Sequence, residues 1–356
     1  MIRLKLMNDT NLNGRQKLIL QIIKEKGEIS RLNLSGQVSP DKKLSRITFI
    51  RDLNLLAGLN LVEKFGKGKN TRYRLKETNP LLTYLDLDNY FRLEMEERTA
   101  KINFNQQIFP YLKELYSLEE IALWEKSKKY FKEAREKLNP SIYKRELERF
   151  IIELSWKSSQ IEGNTYSLIE TETLVKENIK ARGHPEEEAV MILNHRDAFK
   201  AILDNQKSFK KLRYEDIICL HRLLTKGLVA PGTREQKVRI SGTRYLPPTN
   251  KKEIELAMKQ LIQCLNQLKY PPERALVAAA MIAYLQPFAD GNKRTSRILA
   301  NAILLADNYF PLSYRNVDVN EYRSALIIFY ETNNLFNFKR VFISQLQYAI
   351  EYYFRP

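Results

Sequence analysis

Most of the residues that could carry out chemistry lie in one stretch, LQPFADGNKRTSR, residues 285–297. Gly291 and Asn292 form a tight turn with free backbone N–H groups, and a helix with an apolar face follows. The N-terminus of a helix attracts anions. Arg294 and Arg297 are three residues apart and lie on one face of that helix, where they can hold phosphate oxygens in bidentate fashion. The stretch therefore predicts a phosphate site, with Lys293 as a further cation.

Asp290 comes directly before the glycine turn. Mg²⁺ in proteins is commonly held by one or two carboxylates together with substrate phosphates. Asp290 could therefore hold Mg²⁺ at this site. The chain has neither a GxxxxGK[ST] nor a GxGxxG motif, which excludes a P-loop and a dinucleotide-binding fold.

Gln286 stands at the start of the same stretch, where a general base would be useful. A general base needs a pKa near the working pH, and an amide has none. The three histidines, His184, His195 and His221, are far upstream in the sequence. We expect them to be helix-surface or buried hydrogen-bonding groups away from this site.

Glu162 lies at the end of a predicted helix, residues 153–164. A carboxylate at a helix C-terminus meets an unfavourable dipole, so it gains from a cationic partner elsewhere in the fold. The alternative is an ordinary glutamate on the surface.

Two apolar helices must position the phosphate stretch. Residues 275–285 are almost wholly apolar and predict a buried helix that Pro287 ends. The next helix is predicted from 293 to 306. Residues 79–150 have a charged, helical pattern, and we assign 79–114 to a helical linker.

The first 78 residues predict a separate domain. Three short helical segments precede a β-prone hairpin that turns through GKGKN, which is the element order of a winged helix. This segment resembles the winged helix-turn-helix domains of bacterial transcription regulators. Such a domain can bind DNA, or it can serve as a protein-docking module.

DNA binding would use the third helix in the major groove and the hairpin on the backbone or in the minor groove. The third helix would offer Ser45, Arg46, Thr48, Phe49 and Arg51. The hairpin would offer Lys64, Lys67, Lys69, Arg72 and Arg74.

The net charge of the 356-residue chain is +17, and it is unevenly distributed. Residues 1–78 hold 17 Lys or Arg against 7 Asp or Glu, a net charge of +10, which favours a polyanion partner. No apolar run is long enough to cross a membrane, and the N-terminus has no secretory-signal pattern. The two cysteines, Cys219 and Cys264, lie among aliphatic residues and predict core positions. We expect a cytoplasmic protein.

Three motifs together resemble one family. QPFADGNKRTSR is similar to the signature of Fic (Fido) domains, His-x-Phe-x-Asp/Glu-Gly-Asn-Gly/Lys-Arg-x-x-Arg, and departs from it only at Gln286. SSQIEG, with Ser158 and Glu162, resembles the inhibitory motif of the family. KVRISGTRYLPP resembles its flap hairpin, with Val238, Ile240 and Tyr245. The resemblance covers about residues 115–356.

The resemblance implies a mostly α-helical core with a small flap β-hairpin, and transfer of AMP from ATP to a Tyr, Thr or Ser hydroxyl of a protein. Asp290 would bind Mg²⁺, and Gly291 and Asn292 would form the anion hole. Arg294 and Arg297 would bind phosphates, and Phe288 would anchor the loop. Glu162 would pair with Arg297 and obstruct the γ-phosphate. The flap would align a target segment by strand addition.

Three interpretations of Gln286 stay open. The chain is a nucleotide-sensing transcription regulator without catalysis; or it is a slow or altered adenylyltransferase, since loss of a general base costs about 10²–10⁴-fold in rate; or glutamine is an introduced substitution in a normal transferase. The target protein, the operator sequence and the oligomeric state, a homodimer included, also stay open.

Overall fold

The protein divides into two units, Met1–Asp86 and Leu87–Pro356. The computed structural model describes residues 12–41, 44–59, 61–66, 68–76 and 79–355. Within these ranges the chain is mostly helical with one small sheet, so the predicted fold class is confirmed. No helix among the described residues is both long and apolar enough to cross a membrane.

The N-terminal unit packs three helices against a three-stranded antiparallel sheet in its described part. Strand β3 is central and pairs with β1 on one side and β2 on the other. The elements in order are α1 (Gly14–Lys26), β1 (Glu28–Ser30), α2 (Arg31–Val38), α3 (Arg46–Gly58), β2 (Val62–Phe65) and β3 (Arg72–Leu75).

Local signals in the sequence set the helix ends of this unit. Ser45 caps α3, because its hydroxyl accepts a hydrogen bond from the Thr48 N–H at 3.2 Å. Gly27 ends α1 with φ +68°, and a Cβ there would come within 2.3 Å of the Tyr84 ring. Only glycine fits this turn. The helices bury a common apolar core with the sheet, which includes Ile19, Ile23, Leu34, Phe49, Leu53, Leu56, Val62 and Tyr73.

The C-terminal unit is built from helices. They are α4 (Leu87–Phe91), α5 (Leu118–Lys137), α6 (Pro140–Ile161), α7 (Leu168–Glu177), α8 (Glu186–Asp204), α9 (Tyr214–Leu224), α10 (Lys251–Gln267), α11 (Pro271–Leu285), α12 (Asn292–Ala306), α13 (Val319–Thr332) and α14 (Phe336–Tyr352). Helices α11 and α12 are buried along almost their whole length, and they pack against each other at the centre of the unit. This pair holds the phosphate stretch.

Two predictions about the fold need correction. Residues 79–114 contain only α4 and two 3₁₀ turns, Pro80–Leu82 and Gln106–Tyr111, and not the expected helices. From Leu87 onward the segment is part of the C-terminal unit; for example, the Lys101 N–H donates to the Glu331 carbonyl at 2.6 Å. Cys219, expected in the core, is exposed on the outer face of α9.

Candidate functional site

The loop between α11 and α12 forms the floor of the candidate site. Helix α11 ends at Leu285, and Gln286 follows in the left-handed conformation, with φ 48°. The Asn292 side chain closes the loop, because its amide nitrogen donates to the Phe288 carbonyl and its oxygen accepts from the Phe288 N–H, both at 2.8 Å. Gly291 has φ +77°, and a Cβ on it would lie 2.8 Å from a methyl group of Thr225. The sharp turn into α12 therefore requires glycine.

The first turn of α12 has the properties of an anion site. Gly291 is its N-cap and offers no side chain to the free N–H groups of that turn. Three cations, Lys293, Arg294 and Arg297, lie on the first two turns. The helix dipole and these charges favour a negatively charged ligand.

Arg294 lies under the loop with only 2% of its side chain exposed. Its guanidinium pairs with the Asp290 carboxylate at 2.7 Å and reaches the Leu224 carbonyl at 3.4 Å. Burial lowers the pKa of Arg294, although Asp290 opposes this change. Asp290 itself is largely exposed. Arg294 is therefore fixed from the protein side, whereas the carboxylate of Asp290 faces solvent.

Arg297 is fully buried and is held by α6. Its Nε donates to Ser158 Oγ at 2.9 Å, and its Nη2 donates to the Ser158 carbonyl and to Glu162 Oε1, both at 2.8 Å. Its Nη1 has no hydrogen-bond partner among the described residues. The guanidinium also lies 5.5 Å from the centre of the Tyr322 ring, so the protein surrounds it on this side as well.

Glu162 meets two cations at the end of α6. Besides Arg297, the carboxylate pairs with Lys293 Nζ at 2.8 Å, which the sequence did not predict as a partner of Glu162. Burial alone would raise the pKa of the Glu162 carboxyl, but the charges of Arg297 and Lys293 outweigh it and lower the pKa to about 2. Arg323 also donates to the carbonyl of Ile161, at the end of the same helix. The carboxylate therefore lies beside the start of α12 and neutralises both cations.

Ser158 connects Arg297 to a buried histidine. Because Ser158 Oγ accepts from Arg297, its proton is free to donate to His195 Nε2 at 2.8 Å. The other ring nitrogen, Nδ1, then carries the proton and donates to the Met191 carbonyl at 3.0 Å. Burial lowers the pKa of His195 to about 3, which agrees with this neutral tautomer. His195 is thus neutral and holds the Ser158 hydroxyl, which in turn accepts a hydrogen bond from Arg297.

The expectation that the histidines lie away from the site is wrong for two of them. His195 supports Ser158, and His221 Nε2 lies 3.0 Å from the Asp290 carbonyl, with its ring stacked on Phe288 at 3.8 Å. Helices α8 and α9 pack against α12, and this brings both residues to the loop. Both are fully buried, and burial lowers both pKa values. His184 contacts Thr165 instead, as part of another cluster.

Gln286 is directed back into its own helix. Its side-chain amide donates to the Ala283 carbonyl at 2.7 Å, and the residue is 8% exposed. The Gln286 backbone carbonyl accepts from Arg234 Nε at 2.6 Å. Arg234 was not predicted from the sequence, because nothing near it in the chain indicates which carbonyls it would reach.

The predicted flap hairpin is not formed: residues 237–240 have no regular secondary structure, and a turn follows at 241 and 242. Val238 and Ile240 are half-buried. Tyr245 cannot take part in docking, because it is fully buried, stacks on Tyr284 at 4.6 Å and donates its hydroxyl proton to the Tyr284 carbonyl. A tyrosine that reaches a carbonyl partner in this way is stable in the core.

The residues predicted to bind DNA are only partly on a free surface. Arg46 and Arg51 are exposed on α3, and Thr48 is half-buried with its hydroxyl 2.9 Å from that of Ser45. Phe49 is 3% exposed and belongs to the core, since it falls on the inner face of α3, so its predicted contact with DNA is wrong.

The hairpin cations differ among themselves. Lys64 is exposed, whereas Arg72 pairs with Glu28 at 2.5 Å and Arg74 pairs with Glu63 at 2.9 Å. Lys67 lies outside the described residues. Lys69 falls in the 3₁₀ turn Gly68–Asn70.

Comparisons with known proteins find similarity in the central part of the C-terminal unit. Residues 211–304 match the model of the Fic/DOC family. The chain is 28% identical over 189 residues to the protein adenylyltransferase Fic of Nematostella vectensis, which covers 51% of this chain and 44% of that protein. It is 30% identical over 199 residues to the protein of the same description from Aedes aegypti, with 53% and 38% covered. The chain therefore spans less than half the length of these relatives.

Solved structures support the same fold. Fic-1 (residues 134–508) from C. elegans superposes with a TM-score of 0.54 at 20% identity, covering 66% of this chain and 71% of that one. A Fic family protein from Desulfovibrio desulfuricans G20 gives a TM-score of 0.54 at 22% identity, with 66% and 74% covered. Residues 211–304 are thus similar to the Fic/DOC family, and the C-terminal unit shares the helical fold of these structures.

Proposed function

We propose that the C-terminal unit is a Fic-type ATP-binding unit, held closed by Glu162, that transfers AMP to a protein hydroxyl slowly because Gln286 replaces a titratable base. The observation that carries this proposal is the ion pair between Glu162 and Arg297 at the start of α12, 2.8 Å long. The curated relatives that match this part of the chain are described as protein adenylyltransferases.

The phosphate groups of ATP would occupy the first turn of α12. Its N–H groups, Lys293 and the guanidinium of Arg297 now paired with Glu162 would contact phosphate oxygens. Arg294 would support the loop through Asp290. Glu162 now neutralises Arg297 and Lys293, so a γ-phosphate at the same place would meet a carboxylate. Displacement of Glu162 is therefore the expected condition for productive ATP binding.

Asp290 is the residue that would hold Mg²⁺. No group of three or more His, Cys, Asp or Glu side chains that could hold a metal occurs in the described ranges. The exposed Asp290 carboxylate nevertheless suits Mg²⁺ that arrives with a nucleotide, because this ion takes most of its other ligands from phosphates and water. When bound, the ion would neutralise phosphate charge.

In the transfer step, the oxygen of a target hydroxyl bonds to the α-phosphorus, and the bond from this phosphorus to the pyrophosphate oxygen breaks. The hydroxyl proton must leave. Gln286 has no group that can take the proton, and its side-chain amide bonds to the Ala283 carbonyl, so water must accept the proton. Positioning and electrostatic stabilisation by α12 would remain, and phosphoryl-type transfer depends largely on these.

A nucleotide sensor without catalysis is the second candidate for this unit. It is favoured by the bond from the Gln286 amide to the Ala283 carbonyl, which directs the side chain into α11. A sensor needs the phosphate contacts but no base. The two candidates share ATP binding and differ only in transfer.

ATP binding can be tested by titration calorimetry with Mg²⁺. We expect Glu162→Gly to bind ATP at least about tenfold more tightly than the wild-type chain, which corresponds to about 1.4 kcal/mol. A matched control is Glu177→Gly, because Glu177 is an exposed glutamate at the end of α7. Equal affinities of all three proteins would contradict the closed state.

For the N-terminal unit we propose DNA binding by a winged helix. The order of its three helices and three strands, the exposed Arg46 and Arg51 on α3, and the net charge of +10 over residues 1–78 support this proposal. With a random DNA duplex, Arg46→Ala with Arg51→Ala should weaken binding and reduce the salt dependence, log Kd against log salt, by about 2. Lys144→Ala with Arg145→Ala, on α6, is the control. Equal loss of DNA affinity in the two double variants would contradict the assignment of DNA binding to α3.

A further inference from the structure

The C-terminal end of α6 carries Glu162, and its backbone carbonyls need donors from outside the helix. The last four carbonyls of an α-helix have no partner within the helix. The turn after α6 provides for two of them. The Gln160 carbonyl accepts from the Gly163 N–H at 3.0 Å, and the Ser159 carbonyl accepts from the N–H groups of Glu162 and Asn164. The other two carbonyls accept from side chains of other helices.

Two arginines supply these donors. Arg297 on α12 donates to the Ser158 carbonyl at 2.8 Å. Arg323 on α13 donates through Nε to the Ile161 carbonyl at 3.1 Å, and its Nη2 also bonds to this oxygen. Among the described residues, Arg323 is the only hydrogen-bond partner of the Ile161 carbonyl. The end of α6 is therefore held from α12 and from α13.

The two arginines differ in what else they bind. Arg297 is fully buried and also pairs with Glu162, and in the proposed function it would turn to the phosphates of a nucleotide. Arg323 is exposed, and within the described chain its hydrogen bonds go to the Ile161 carbonyl alone. Arg323 thus bonds to α6 whether or not Arg297 is engaged by a ligand.

Helix α13 gives Arg323 a fixed place beside the site. The helix begins at its cap, Asp318, whose side chain accepts from an N–H group of the first turn at 2.8 Å. The residue before Arg323, Tyr322, is buried, and the centre of its ring lies 5.5 Å from the Arg297 guanidinium. The charge of Arg323 also lies at the negative end of the α6 dipole, where it offsets the unfavourable position of the Glu162 carboxylate.

We propose that Arg323 is a positioning residue, which holds the Ile161 carbonyl and thereby keeps Glu162 on its two cations, Lys293 and Arg297. This inference rests on the proposed function of the C-terminal unit, and it adds a residue that sets the balance between the closed and the ATP-binding states. Without Arg323 the Ile161 carbonyl would turn to water, and the last turn of α6 would open more often. Because Arg323 is exposed, its replacement leaves no cavity in the core.

Titration calorimetry of the full chain with ATP and Mg²⁺ tests the effect on binding. Arg323→Gln should bind ATP at least about threefold more tightly than the wild-type chain, because a larger fraction of the molecules is open. In the Glu162→Gly background the same change should alter the affinity less than about 1.5-fold, because no carboxylate remains to be positioned. Arg323→Lys keeps a charged donor, so its affinity should lie between those of wild type and Arg323→Gln.

Hydrogen exchange without nucleotide tests the hold on α6 directly. Peptides that contain the N–H groups of Glu162, Gly163 and Asn164 should exchange at least about threefold faster in Arg323→Gln than in wild type. Peptides from α11 should exchange as in wild type, because the change is local. The control is Arg340→Gln, which replaces an exposed arginine on α14 and should change neither the exchange at the end of α6 nor the ATP affinity.

Unchanged exchange at the end of α6 would overturn the inference whether or not ATP binds. Faster exchange in the α11 peptides as well would also overturn it, because Arg323 would then act on the whole unit. So would an equal change of ATP affinity in the two backgrounds, or no change in either while Glu162→Gly gains affinity. If exchange accelerates at the end of α6 but Glu162→Gly binds no ATP, the proposed function fails and the hold of Arg323 on α6 stands.

Discussion

The two ends of the stretch 286–297 differ in how many of their functional groups have a partner. At the phosphate end, Arg297 makes three hydrogen bonds and Glu162 meets two cations, so each charge has an assigned partner. At the other end, Gln286 bonds only to its own helix and to Arg234. Under the proposed function, phosphate binding and proton transfer would be separable in this fold, because the charges at one end are paired and Gln286 at the other end has no titratable side chain.

The largest effect should come from restoring a base. In the Glu162→Gly background, Gln286→His should raise the rate of AMP transfer by about 10²–10⁴-fold, because a general base contributes an effect of that size. Label from ATP on protein, followed in time, measures the rate. Gln286→Asn is the control, since it keeps an amide and should restore nothing. A rate unchanged by histidine would contradict the assignment of position 286 as the base end.

The pH dependence of the unfolding free energy should report the ion pairs of Glu162 with Arg297 and Lys293. The folded-state pKa of Glu162 is about 2, below its ordinary value of 4.5. The ionised carboxylate therefore stabilises the fold fully above pH 4.5, and the contribution is lost as the pH falls towards 2. The difference in unfolding free energy between wild type and Glu162→Gln should be constant from pH 8 to 5, and it should shrink below that, by at most ~3 kcal/mol.

Urea unfolding at several pH values measures this difference. Glu177→Gln, an exposed glutamate at the end of α7, serves as the reference. If the difference in unfolding free energy between wild type and Glu162→Gln stays constant down to pH 3, the ion pairs of Glu162 with Arg297 and Lys293 are contradicted.

Two neighbouring buried serines allow a sharper comparison within the phosphate end. Ser158→Ala should destabilise the protein by about 1–3 kcal/mol, because it leaves Arg297 Nε without its acceptor and His195 Nε2 without its donor. Ser159→Ala should cost little, because the Ser159 hydroxyl is equally buried but has no hydrogen-bond partner in the described chain. Urea unfolding compares them, and equal losses would argue against the network around Arg297.

The smallest expected change concerns the shape of the cation. Arg297→Lys in the Glu162→Gly background keeps the positive charge but loses the planar fork, so ATP should bind about tenfold more weakly. Arg135→Lys, on α5, is the control, because Arg135 is bonded to Asn308 on the surface. If calorimetry finds no loss of ATP affinity for Arg297→Lys, the positive charge alone is sufficient to bind the phosphates.

The sequence predicted the local features of the site because they are encoded locally. The glycine turn, the apolar helices on either side of it and the order of motifs can be read from spacing, and the contact between Glu162 and Arg297 is present as expected. The mostly helical fold class also followed from periodicity and motif resemblance.

Contacts between distant segments could not be predicted in this way. His195 and His221 reach the loop only because α8 and α9 pack against α12. Arg234 recognises three carbonyls, and backbone carbonyls have no sequence signature. Phe49 and Tyr245 were assigned to binding surfaces from their positions in the motifs, but both are buried in the core. Residues 79–114 were predicted to be helical because a polar pattern does not distinguish a helix from irregular chain that packs against helices of the same unit.

In the proposed function, Glu162 blocks an otherwise complete phosphate site, and Gln286 stands where a titratable base would be needed. Incubation with Mg²⁺ and ATP labelled at the α-phosphate tests it on four forms: wild type, Glu162→Gly, Gln286→His and the double variant. We predict strong protein labelling only in the double variant, with weak labelling in Glu162→Gly. Strong labelling of the wild-type chain, or none in the double variant, would contradict the account.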